Sequence, residues 1–251
     1  MGKVYKVIIA ILSIIFVGSI VCIALIFFSY SSASKDYEEI SSGYFNESKI
    51  QESLIYPHKL VDWEGLKEQN SDTIAWLYIP DTSINYPVVQ TTDNSHYIKT
   101  NFNGETNWIV SPGALFLNCD ANSDFSSQNN VIFGHNMQDG SMFHELESYT
   151  DESFAKSHSS FYLLTPNASY ILTPVALDYI SYTDVDLVSD TIGSSSDFKS
   201  FLNDRISSSL IDFSYDENTI NNAERVVCLC TCDNSNDTKR YLLVCTVKQL
   251  G

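Results

Sequence analysis

The sequence predicts a mostly β domain of eight strands, preceded by one membrane-spanning helix and a pair of short helices. Three observations predict it. From Ser71 onward, runs of β-branched and aromatic residues alternate with clusters of turn-forming residues. Val7 to Phe28 carries no charged residue, and about 20 apolar residues suffice for a helix to cross hydrocarbon. Phe198, Phe201, Leu202, Ile206, Leu210 and Ile211 recur at helical spacing between the sixth and seventh presumed strands.

Taken in order, residues 1–6 form a short basic stub with Lys3 and Lys6, and residues 7–28 are the span. A cleaved leader is the rival reading, and Ser32-Ala33-Ser34 resembles a cleavage site. The apolar run is longer than the roughly 7–15 residues of a leader core, and it ends on the bulky Leu25-Ile26-Phe27-Phe28. Lysines precede the span, and Asp36, Glu38 and Glu39 follow it. The positive-inside rule then leaves the N-terminus in the cytoplasm and exports the rest.

Residues 29–49, serine-rich and then acidic without a strong period, read as a stalk. Residues 50–70 place Leu54, Ile55, Leu60, Val61, Trp63 and Leu66 loosely at helical spacing, with Pro57 dividing two short helices that pack beside the main domain. Residues 71–251 form that domain, with strands near 74–79, 86–89, 114–117, 130–133, 160–164, 170–182, 225–231 and 241–247. Met142 to Leu146 and Phe154 mark a helical interruption after the fourth strand.

The chain has 251 residues, 44% of them apolar, enough for one packed domain and an appendage. Only 14 Lys and Arg stand against 31 Asp and Glu, a formal charge of −17, which excludes a phosphate backbone as partner. Among six cysteines, Cys22 lies in the span, Cys119 near a strand end and Cys245 in the last apolar run. The period of two in Cys228-Leu229-Cys230-Thr231-Cys232 places three thiols on one strand face. Cys228 and Cys230 read as packing residues. No C-x-x-C spacing occurs, so no metal site is expected.

Chemistry concentrates at three strand edges. Cys232 ends an apolar run, His135 follows the apolar run Val131-Ile132-Phe133, and Arg240 opens the last strand. A thiol, an imidazole and a guanidinium are the parts needed for acyl transfer through a thioester. The thiol supplies the nucleophile, the imidazole moves protons, and the guanidinium holds an oxyanion at any working pH. The backbone N–H of Asp233 is a second candidate oxyanion donor. His58, His96, His144 and His158 lie in helical, polar or amphipathic stretches with no strand-end context and read as structural or surface residues. No counterpart of a triad Asp stands out, and the adjacency of Asn136 to His135 is no guide to orientation.

Gly134-His135-Asn136-Met137, Thr231-Cys232, Arg240 and the stretch Ile79 to Gln90 resemble the sortases, cysteine transpeptidases of Gram-positive surfaces. Asn85-Tyr86-Pro87-Val88-Val89-Gln90 and Gly134-His135-Asn136-Met137 are most like class B, over roughly residues 70–250. One departure is that positions 228 and 230 are cysteines, where the family usually carries hydroxylic residues. The resemblance implies an eight-stranded β-barrel with N-terminal helices and a helix between strands 6 and 7 that shapes the substrate groove.

It also implies a membrane-anchored enzyme needing no metal or organic cofactor. Such an enzyme cleaves after a Thr in the C-terminal sorting signal of secreted proteins, and transfers the acyl group to a peptidoglycan-precursor or pilin amine. Rival readings are a cysteine peptidase that resolves the same thioester with water, a non-catalytic peptide-binding module, and a redox- or metal-responsive surface protein using Cys228, Cys230 and Cys232.

Overall fold

Turn clusters cut the chain after Ser71 into short β-prone runs, and the runs pair in the computed structural model, which describes residues 2–50, 56–107, 110–184, 192 and 194–250. The strands are β1 (Thr73–Tyr78), β2 (Asn85–Val89), β3 (Leu115–Leu117), β4 (Asn129–Phe133), β5 (Phe161–Leu164), β6 (Ser169–Ser181), β7 (Val226–Asp233) and β8 (Asn236–Leu250). They close into a barrel in the order β1-β2-β3-β4-β7-β8-β6-β5, with β5 paired back onto β1. The β2–β3 and β4–β7 pairs are parallel. Helices are α1 (Lys3–Tyr44), α2 (Trp63–Gln69), α3 (His96–Lys99), α4 (Glu152–Ser157), α5 (Ser195–Ser208) and α6 (Glu217–Asn221). The predicted mostly β barrel with a helix between strands 6 and 7 is therefore the observed fold.

The β7–β8 hairpin departs most from the expected boundaries. The polar stretch after Cys232, expected as a loop, is mostly strand: β7 runs to Asp233 and β8 begins at Asn236. The turn is closed by the Asp233 carboxylate, whose Oδ1 accepts from the Ser235 N–H and Oγ–H, both at 2.7 Å. An aspartate bonding the backbone two residues on is a strong turn former. Apolar alternation cannot reveal a ladder built from polar residues.

Alternation then sorts β7 and β8 between two cores. Val227, Leu229, Leu243 and Cys245 join the main core with residues from the other strands. Val226, Cys228, Cys230, Leu242 and Val244 face the opposite way, against Phe198 and Leu202 of α5. The three thiols of β7 thus share the outer face of the barrel, and α5 covers Cys228 and Cys230, which are buried as expected. Helix α5 starts at a capping box between Ser194 and Asp197. It is tied to β6 by the Arg205–Asp178 ion pair at 3.2 Å and by the Ser208 hydroxyl donating to Asp178 at 2.6 Å.

One N-terminal expectation changes. Residues 29–49, read as a stalk, are helical as far as Tyr44, and Tyr37 and Ile40 are buried in the main core. Tyr37, Ile40 and Tyr44 are spaced three and four apart, but the acidic, exposed remainder of the turns masks that stripe. Of the two short helices expected on either side of Pro57, the described part after it begins with a 3₁₀ turn, Pro57–Leu60, opened by the proline, whose missing N–H costs nothing at a helix start. The first of those two helices falls largely on residues 51–55, outside the described residues. Helix α1 is long and apolar enough to cross a membrane.

Candidate active site

Register places the three candidate side chains in one row. On parallel strands β4 and β7, Phe133 pairs with Cys230, so two steps further along lie His135 and Cys232. Across the β7–β8 ladder Cys232 pairs with Arg240, and across β6–β8 Arg240 pairs with Ile180. All four positions have the parity of the outer face. Neighbouring strands lie about 4.8 Å apart, so the imidazole, thiol and guanidinium emerge side by side.

The His135 segment is stitched to β7 beyond the end of β4. The Gly134 N–H donates to the Cys230 carbonyl at 3.1 Å, and the Thr231 hydroxyl donates to the Gly134 carbonyl at 2.9 Å. Asn136 Nδ2 donates to the Cys232 carbonyl at 2.9 Å. Thr231 alternates with the thiols along β7 and so lies on the opposite face of the strand. Glycine is needed at 134 by close approach: a Cβ there would lie 2.4 Å from Leu115 Cδ2 and 2.6 Å from Phe143 Cδ2.

The imidazole of His135 is oriented from its far side. Its Nε2–H donates to the Ile98 carbonyl, just after Tyr97 in α3, at 2.7 Å. That assigns the proton of the neutral ring to Nε2 and leaves Nδ1 as the nitrogen able to exchange protons with a reacting group. Gly113, at φ +59, brings its backbone against the ring, where a Cβ would stand 3.0 Å from His135 Cδ2. The Gly113 carbonyl in turn accepts from the buried Tyr37 hydroxyl of α1. Nothing in the sequence pointed to Ile98, because it acts through its main chain.

Arg240 lies with its guanidinium 5.8 Å from the centre of the Tyr182 ring, and Nη1 donates to the Lys239 carbonyl at 2.7 Å. Lys239 turns the other way, its Nζ 5.4 Å from the centre of the Tyr179 ring. Burial pushes the Cys230 thiol up to about 12 despite the opposing charge of Arg240, and burial drives Cys228 higher still. Neither buried thiol ionises at neutral pH, so neither competes as nucleophile. Asp233 is held below the usual carboxylate range, first by the Tyr179 hydroxyl and then by Ser235. A register shift between Cys232 and Asp233 breaks the ladder at the thiol, and such bulges re-aim backbone groups.

A groove of about 490 Å³ opens over this row, lined by His135, Cys232 and Arg240 with Ile98, Phe116, Phe133, Ile180 and Tyr182 among others. It has an apolar floor with a few convergent polar groups, the usual make-up of a ligand site. Among the described residues, no group of three or more His, Cys, Asp or Glu side chains is arranged to hold a metal ion.

Sequence reasoning passed over His144. It stands in the 3₁₀ turn His144–Thr150, half-buried, with Nδ1 2.8 Å from Asn136 Oδ1. Asn136 is also more than a neighbour of His135: its amide donates to the Cys232 carbonyl.

The sortase domain model matches residues 77–248. The chain belongs to the sortase family. Sortase B of Listeria monocytogenes is 31% identical over 180 residues, 71% of this chain and 70% of that protein. Sortase B of Staphylococcus aureus is 25% identical over 233 residues, 90% of this chain and 92% of that one. The structure of a Staphylococcus aureus sortase B–substrate complex superposes with a TM-score of 0.76 at 22% identity, covering 89% of this chain and 100% of that one. This likeness bears on the fold and agrees with the closed barrel. The chain is a class B-like cysteine transpeptidase.

Proposed function

We propose that this sortase, anchored by α1 with its N-terminus in the cytoplasm, cleaves a C-terminal sorting signal of secreted proteins. It then passes the acyl group to a peptidoglycan-precursor or pilin amine. The observation that carries this reading is the row of His135, Cys232 and Arg240 along one groove wall.

The Cys232 thiolate attacks the carbonyl carbon of the residue before the scissile bond, a Thr by family likeness. Electrons move onto the carbonyl oxygen, which the Arg240 guanidinium and the Asp233 N–H stabilise. The oxyanion collapses, the C–N bond breaks, and the leaving amine takes a proton from His135 Nδ1. Throughout, Nε2–H stays on the Ile98 carbonyl, which holds the ring in place. An incoming primary amine attacks the thioester and gives its proton to His135. The C–S bond then breaks, returning thiolate and imidazolium.

The test is mass spectrometry of the full chain in detergent micelles with a library of Thr-containing peptides, with and without triglycine as amine. The proposal expects a peptide–triglycine product that replaces hydrolysis. Equal hydrolysis with and without the amine would instead favour the peptidase reading. Binding without turnover would favour the peptide-binding module.

A further inference from the structure

His144 lies outside the row of His135, Cys232 and Arg240, yet it connects to the nucleophile through two bonds. An amide oxygen cannot donate, so the 2.8 Å contact is His144 Nδ1–H donating to Asn136 Oδ1. That contact fixes which way the Asn136 amide faces. Nδ2 is left to donate to the Cys232 carbonyl at 2.9 Å, and its second hydrogen points to Glu147 Oε2 at 3.3 Å. Asn136 is 7% exposed, so water does not substitute for these partners.

The carbonyl of Cys232 and the N–H of Asp233 belong to one planar peptide unit. Holding the oxygen end therefore aims the N–H end, at the place where the β7–β8 ladder shifts register. A hydrogen bond accepted by the carbonyl also polarises the unit and strengthens its N–H as a donor.

We propose that His144 and Asn136 form a positioning relay that aims and polarises the Cys232–Asp233 peptide unit, so that the Asp233 N–H serves the oxyanion of acyl transfer. The relay rests on the proposed acyl-transfer chemistry, and it makes a prediction that a purely structural role does not. Attack on an acyl carbonyl passes through an oxyanion; alkylation of the same thiol by iodoacetamide does not. Loss of the relay should slow the first reaction and spare the second.

The experiment compares p-nitrophenyl acetate with iodoacetamide on the full chain in detergent micelles, both read at the Cys232 peptide by mass spectrometry. In His144→Leu, acetylation should fall about tenfold, the equivalent of one good hydrogen bond, while alkylation stays within about twofold, since no oxyanion forms there. His144→Asn should restore acetylation, because its amide nitrogen takes the place of Nδ1. Asn136→Ala should match His144→Leu, and the double variant should lose no more than either alone.

Acetylation and alkylation falling together would overturn the relay, as would unchanged acetylation or failure of Asn to rescue. The readouts need no sorting signal. A chain that transfers no peptide but keeps this selective loss retains the relay and loses the proposed substrate. Normal acetylation in His144→Leu with normal peptide transfer does the reverse.

Discussion

Cys232 and Arg240 stand opposite each other across the β7–β8 ladder, paired on the outer face of the barrel. Eight positions apart in the chain, they are brought together by a tight turn at Asn234 and Ser235 instead of a long loop. The guanidinium therefore rides on the same hairpin as the thiol, and its placement depends on register more than on side-chain reach.

Register makes the role of Arg240 separable from that of its neighbour. Arg240→Ala should lower kcat and kcat/KM together by about 10²–10³-fold, the scale of one lost oxyanion donor. Arg240→Lys should recover only part, since an ammonium lacks the planar fork. Lys239→Ala, facing Tyr179, should cost little. Steady-state kinetics decide it: a damaging Lys239→Ala beside a quiet Arg240→Ala would mean the wrong side chain has been assigned.

His135→Ala should cost about 10²–10⁴-fold in turnover, the usual contribution of a positioned proton-transfer group, with thermal stability nearly unchanged. The exposed His96 is the matched control, and His96→Ala should be nearly silent. Retention of more than about a tenth of the rate in His135→Ala would remove the imidazole from the reaction.

Gly134→Ala drives a methyl group into two buried side chains. Overpacking of this kind typically costs about 1–3 kcal/mol, and here it should also displace His135, the next residue. Thermal melting and activity should fall together. An unchanged melting temperature would show that Leu115 and Phe143 yield more easily than their packing implies.

Tyr179→Phe removes the largest cause holding Asp233 below the usual carboxylate range. The stability that such a carboxylate contributes is fully present above its ordinary pKa of about 3.9 and is lost as pH falls through the lower folded value. The variant should be less stable than wild type near neutrality, and the difference should shrink on acidification. Melting temperatures across the acid range check this; a gap that widens toward low pH would contradict it.

Much of this was legible in the chain. Strand positions followed from apolar alternation, and the outer-face placement of Cys228, Cys230 and Cys232 followed from the period of two. Polar ladders are invisible to that signal, which is why the stretch between Cys232 and Arg240 reads as a loop joining two strands. Packing of Tyr37 and Ile40 on the barrel was masked by the acidic residues between them. His144 and the Ile98 carbonyl carry no local pattern: one acts through an intermediary, the other through its backbone. Both become visible only once tertiary contacts bring them to His135 and Asn136.

In the proposed transfer, Cys232 carries the acyl group. Wild-type chain in detergent, mixed with a peptide it cleaves and no amine, should show by mass spectrometry one acyl adduct, located on Cys232. Cys232→Ala should show neither adduct nor turnover, because burial keeps Cys228 and Cys230 protonated. An adduct on Cys230, or continued transfer by Cys232→Ala, would contradict the account.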